Sequence, residues 1–142
     1  MKYAVLFLYA VLGLAPGAFA QTYKIAERLT IDTVPSWFPV EFCLLTHEGR
    51  QYVSYYNADH QMIVAVRDLD SKIWHKVVLP SKVGWDSHNY VTMAVDERGD
   101  LHLSGNMHCV PLVYFRTTRA GDIHSFRQLK MTGMDEKRCT YP

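Results

Sequence analysis

The sequence predicts an all-β chain that opens a β-propeller. Two observations carry this. Short apolar and aromatic runs alternate with turn clusters, and no segment keeps a helical period. The pattern of four such runs is then written a second time, about fifty residues on, which is the size and strand count of a propeller blade. One blade cannot bury both of its faces, so neighbours must stack on it. A propeller takes about four to eight blades, and this chain holds roughly two. The expectation is therefore a chain truncated at its carboxyl end, which stops at Tyr141-Pro142 without a terminating feature. A small two-sheet sandwich is the rival architecture, because short alternating strands suit it as well.

The blades are expected at about residues 37–80 and 86–130. In the first, the strand candidates are residues 40–45, 51–56, 62–67 and 73–79, the last closed by Pro80. His47-Glu48-Gly49, Asn57-Ala58-Asp59-His60 and Asp68-Leu69-Asp70-Ser71 supply the turns. In the second, the candidates are residues 89–95, 101–105, 112–116 and 126–129. Asp96-Glu97-Arg98-Gly99-Asp100 and Thr118-Arg119-Ala120-Gly121-Asp122 are its turns, and residues 106–108 its loop. Gly49 aligns with Gly99, Arg67 with Arg116 and Trp74 with Phe126. Residues 23–31 form a further strand region ahead of the first blade.

Residues 1–20 read as a secretory signal peptide. Lys2 is followed by a short apolar run, Pro16-Gly17 breaks it, and Ala18-Phe19-Ala20 gives the small-x-small cleavage pattern. The run is too short to cross a bilayer comfortably, so the mature chain, residues 21–142, is expected to be secreted or periplasmic with no membrane association. Lys2 is the only charged residue of the leader, so the formal net charge of +1 falls to zero on its removal. A neutral chain lacks the basic face of general nucleic-acid binding, yet a local cationic pocket can still take an acidic substrate. Cys43, Cys109 and Cys139 cannot all pair with one another, and none has CxxC spacing, so zinc-finger chemistry is unsupported. Unpaired thiols are expected over a disulfide.

Meander geometry narrows where chemistry can sit. The approach to a blade's first strand and the exit of its second lie at one edge, and propeller ligands gather among such loops. In the second blade these are Gly84-Trp85-Asp86-Ser87-His88-Asn89-Tyr90 and Asn106-Met107-His108. His88 and His108 therefore share a rim. Two imidazoles there suit general acid–base work, because neutral and protonated forms coexist near neutral pH. They suit a metal too, or simply a hydrogen-bonded structural pair. His60 occupies the corresponding rim of the first blade. Trp37, Phe38 and Trp85 lie near rim loops, where aromatic faces stack on sugars or pack between blades. His102 and Ser104 alternate with Leu101 and Leu103, so His102 is expected to be a hydrogen-bonded seam histidine. His47, His75 and His124 are expected to be structural or merely exposed. Arg67 and Arg116 end matching strands at the opposite edge.

The stretches Trp85-Asp86-Ser87-His88-Asn89-Tyr90, Leu101-His102-Leu103-Ser104-Gly105-Asn106-Met107-His108 and Pro111-Leu112-Val113-Tyr114-Phe115-Arg116 resemble the BNR-repeat-containing family related to the propeller ulvan lyases. Tyr55-Tyr56-Asn57 and Cys139-Thr140-Tyr141-Pro142 fit the same family. The resemblance implies a seven-bladed propeller when complete. It implies a secreted polysaccharide lyase that cleaves a uronic acid-containing polysaccharide by β-elimination. His88 and His108 stand at the family's acid–base positions. By their place on the rim or beside the pair, rather than by the resemblance, Asn89, Trp85, His60 and Asn106 are the substrate-binding candidates. No cofactor is implied, although some relatives bind a structural metal whose ligands are not recognisable here. Further family residues fall beyond Pro142, so residues 1–142 alone are expected to be inactive. A non-catalytic carbohydrate-binding propeller is the alternative. A sialidase-like hydrolase ranks behind both, for want of an Asp-box and of rim carboxylates beyond Asp59 and Asp86.

Overall fold

The computed structural model describes residues 23–38, 40–84 and 86–142. The expected leader and Trp85 lie outside the described residues. The strands are β1 (Cys43–His47), β2 (Arg50–Tyr56), β3 (Gln61–Asp68), β4 (His75–Lys82), β5 (Val91–Val95), β6 (Leu101–Gly105), β7 (His108–Val110), β8 (Tyr114–Thr117), β9 (Phe126–Gln128) and β10 (Cys139–Thr140). Among the described residues there is no α-helix, only a 3-10 turn at Ile123–Ser125. No described helix is long and apolar enough to cross a membrane.

Two four-stranded antiparallel meanders follow one another, β1-β2-β3-β4 and β5-β6-β8-β9, and β7, from the β6–β8 connection, pairs with β10, after β9, as a separate two-stranded ribbon. Local chemistry explains the hairpins. Glu48 and Gly49 have φ of 44° and 76°, the left-handed pair that a two-residue hairpin turn requires. That turn extends β1 to His47, paired with Arg50, so the strand lies later than the apolar run at residues 40–45 suggested. At the matching turn, Asp96 Oδ1 accepts from the backbone N–H groups of Arg98 (2.9 Å) and Asp100 (3.0 Å). β4 runs on through Pro80 to Lys82, past its expected stop. An outermost strand needs no donor on its open side, so proline is tolerated there. Residues 23–31 form no strand. They lie across the first sheet, held by Lys72–Glu27 (3.1 Å), Lys76–Asp32 (3.0 Å) and a bond from the Tyr55 hydroxyl to Asp32 (2.6 Å).

The period of two along β2 sorts its residues between two cores. Tyr52 and Tyr56 join Met62, Val64, Val91, Met93, Leu101, Leu103 and Phe115 between the sheets. Val53 and Tyr55 join Ile63 and Ala65 on the far face, against Ile31 and Trp74. A side chain buried as fully as Leu103 or Phe115, each 1% exposed, contributes about 1.5–3 kcal/mol. The inner strands come together because Gly105 has no side chain. A Cβ there would lie 2.8 Å from the Tyr90 carbonyl and 2.9 Å from the Tyr56 hydroxyl. The other face of the second sheet is polar. His102 Nδ1 lies 2.6 Å from the Tyr114 hydroxyl and Nε2 3.2 Å from Asp96, so His102 is hydrogen-bonded within its own blade.

All three cysteines are unpaired. Cys43 sits at the inter-sheet seam, its Sγ 3.8 Å from the Met93 carbonyl. Cys109 and Cys139 lie on the two paired strands of the ribbon.

Candidate functional site

The rim carries a compact group of titratable side chains. The Asp86 carboxylate folds back as an Asx turn and accepts from the His88 backbone N–H at 2.8 Å. The same oxygen meets His88 Nδ1 at 2.6 Å, while its other oxygen meets His108 Nδ1 at 2.5 Å. The two imidazoles stack face to face, with centroids 4.1 Å apart and planes at 27°. About 40% of each imidazole is exposed (39% for His88, 40% for His108). The backbone N–H of His88, then the side chains of His108 and His88, hold the Asp86 carboxyl well below the usual carboxylate range.

Strands on either side fix this arrangement. His88 precedes β5 in a turn locked by a bond from the buried Asn89 N–H to the Asp86 carbonyl (3.2 Å). His108 opens β7. Before it, Met107 is buried and its Sδ accepts from the Val113 N–H at 3.2 Å. Asn106, Cys109 and Tyr141 have φ of 58°, 55° and 60°. Left-handed backbone at residues other than glycine costs on the order of 1–3 kcal/mol each and gathers at functional sites. All three flank the histidine pair, while Glu48, His60 and Asp135 share this conformation elsewhere.

Pairing of β10 with β7 brings the chain's last residues to the rim. Tyr141 packs at 5.3 Å from the His88 ring and 5.7 Å from the Tyr90 ring, and it remains 55% exposed. The Thr140 hydroxyl and the Arg138 guanidinium pull the Cys109 thiol below its ordinary value. Sequence reasoning missed Asp86 as a partner of both histidines, and it gave Tyr141 no place in the site. A two-residue strand that pairs back across some thirty positions leaves no local signal.

The remaining candidates are placed as follows. Asn89 is 5% exposed and gives its amide to the Gly84 carbonyl at 3.3 Å, so it stands behind the rim. Asn106 donates to Ser81 Oγ (2.8 Å) and to the Lys82 carbonyl (2.9 Å), tying the two blades together. His60 Nδ1 lies 3.1 Å from the Val83 carbonyl, and its ring stacks on Phe38 at 6.5 Å. Trp37 is 67% exposed.

Among the described residues, Asp86, His88 and His108 are the group whose ligand atoms lie close enough to hold a metal ion, all within 4.8 Å. In the structure Asp86 takes the Nδ1 atom of each ring, an arrangement open to proton transfer as well as to a metal.

The sequence model of the BNR repeat-containing family matches residues 50–142. The chain belongs to the BNR repeat-containing family. None of the curated proteins matches it. Among solved structures, the crystal structure of polysaccharide lyase Uly1 superposes on 86% of this BNR chain with a TM-score of 0.55 and 13% sequence identity. The match takes in 32% of that lyase, so the BNR chain spans about a third of its length. At this identity the likeness speaks for the fold, a β-propeller of which the described residues form roughly two blades.

Proposed function

We propose that this chain belongs to a secreted or periplasmic polysaccharide lyase that cleaves a uronic acid-containing, ulvan-like chain by β-elimination, with His88 and His108 as its acid–base pair. The observation that carries the reading is the pair itself. Two half-exposed imidazoles share one rim, and Asp86 occupies the Nδ1 atom of each, so it is Nε2 of each ring that is left to act on a substrate.

The elimination requires those parts. One Nε2 removes the proton at C5 of the uronate. The C5–H electron pair becomes the C4=C5 double bond, and the C4–O bond breaks with its electrons on oxygen. The other ring, protonated, delivers its Nε2 proton to that oxygen. No water is consumed. The developing charge on the uronate carboxylate needs a cation or donor nearby. Tyr141, exposed beside His88, offers a face on which a sugar ring can stack.

The test is to incubate the intact protein with ulvan and with other uronate polysaccharides, and to follow the ultraviolet absorbance of the unsaturated uronate. A rise supports the reading. Sugar binding without any rise overturns it in favour of a non-catalytic carbohydrate-binding propeller.

A further inference from the structure

We propose that Asp86 is the positioning residue of the histidine pair, a single carboxylate that sets the tautomer of both rings and turns both Nε2 atoms to the substrate. The catalytic consequence rests on the lyase reading above; the tautomers do not.

The argument begins with what a carboxylate can do. An ionised carboxylate only accepts hydrogen bonds, and the His88 backbone N–H and the two imidazoles keep Asp86 ionised. Each oxygen meets a different Nδ1, at 2.6 Å and 2.5 Å. Both Nδ1 atoms must therefore carry protons, and in a neutral ring the lone pair sits on Nε2. The stacked rings are thus equivalent in chemical form, although they come from different loops.

This equivalence matters for turnover. At the start, one ring is neutral and the other carries an additional proton on Nε2. The base gains the C5 proton and the acid loses its own to the leaving oxygen. The pair ends with the same number of protons, held on the opposite ring. Asp86, bonded to both, remains counter-ion to whichever ring is charged. Resetting the site needs only a proton returned between the two rings or exchanged through solvent.

Asparagine at this position breaks the symmetry, because its amide offers one acceptor and one donor group. One ring must then accept at Nδ1 and carry its proton on Nε2. Glutamate keeps two acceptors, one methylene further out. The experiment is nitrogen NMR of isotope-labelled histidine in the intact protein, under conditions where the rings are neutral, for wild type, Asp86→Asn and Asp86→Glu, alongside steady-state kinetics. Wild type and Asp86→Glu should show both rings protonated on Nδ1, and Asp86→Asn should show one ring switched to Nε2. Turnover in Asp86→Asn should fall about tenfold to a hundredfold, the usual cost of losing such a partner, with KM nearly unchanged and partial recovery in Asp86→Glu. An Nε2-protonated ring in wild type, or two unswitched rings in Asp86→Asn, overturns the proposal. If wild type turns over no polysaccharide, the lyase reading falls, and the spectra still decide the role of Asp86.

Discussion

The His88 and His108 rings stack at 4.1 Å although their residues lie in separate loops. The stacking follows from the meander. β5 begins and β6 ends at the same edge, Val91 paired with Gly105, so the residues just outside that pair must meet. Asp86 then ties the rings together. On the proposed chemistry, His88→Ala and His108→Ala should each lower turnover by about 10²–10⁴-fold. The double variant should be little worse than either single one, because the rings act as a unit. Steady-state kinetics check this, with thermal melting as the control for folding.

Close approach at Gly105 gives a stability prediction that does not depend on function. A methyl group there meets the Tyr90 backbone and the Tyr56 ring end. Gly105→Ala should destabilise the protein by about 1–3 kcal/mol, the usual cost of overpacking. Gly84→Ala, where an added Cβ meets nothing within 4 Å, should change little. Urea midpoints of the two variants make the comparison.

Asp96 predicts an acid limb to stability. Burial would raise its carboxyl. The bonds from His102 and from the backbone N–H groups of Asp100 and Arg98 outweigh burial and hold it at about 2. A carboxyl depressed in the folded state stabilises above its unfolded value, about 4, and loses that contribution as pH falls toward the folded value. The stability gap between wild type and Asp96→Asn should therefore be constant near neutrality and close between about pH 4 and pH 2. Melting temperature against pH for both proteins reads it directly.

Tyr141 should contribute to substrate binding rather than to the proton transfers. Its exposed ring flanks His88. An aromatic platform contributes about 0.5–1.5 kcal/mol. Tyr141→Ala should raise KM roughly two- to tenfold with a smaller effect on turnover, as measured by initial rates across substrate concentration.

Much of the fold was legible because turns announce themselves chemically. Glu48-Gly49, Asn57 to His60 and Asp68 to Ser71 punctuate the first blade, and the same spacing recurs in the second. The histidine pair was legible for a related reason, since an antiparallel meander fixes which loops share an edge. Asp86 was not, because an Asp-x-His spacing reads as an ordinary turn, and its second bond, to His108, is set by tertiary packing. The β7–β10 ribbon was hidden by its length: two residues carry no periodicity. Pro80 misled in the opposite direction, since a proline reads as a strand end unless the strand is known to be outermost. Asn89 looked available from its place beside His88, and only packing shows its amide turned inward to Gly84.

The most direct test of the central claim is where the oxygen of the new chain end comes from. The intact protein would digest a uronate polysaccharide in isotopically labelled water, with the products weighed by mass spectrometry. Elimination predicts products that carry an unsaturated uronate and no solvent oxygen. Label in the new reducing ends would contradict it, and would assign the histidine pair to hydrolysis instead.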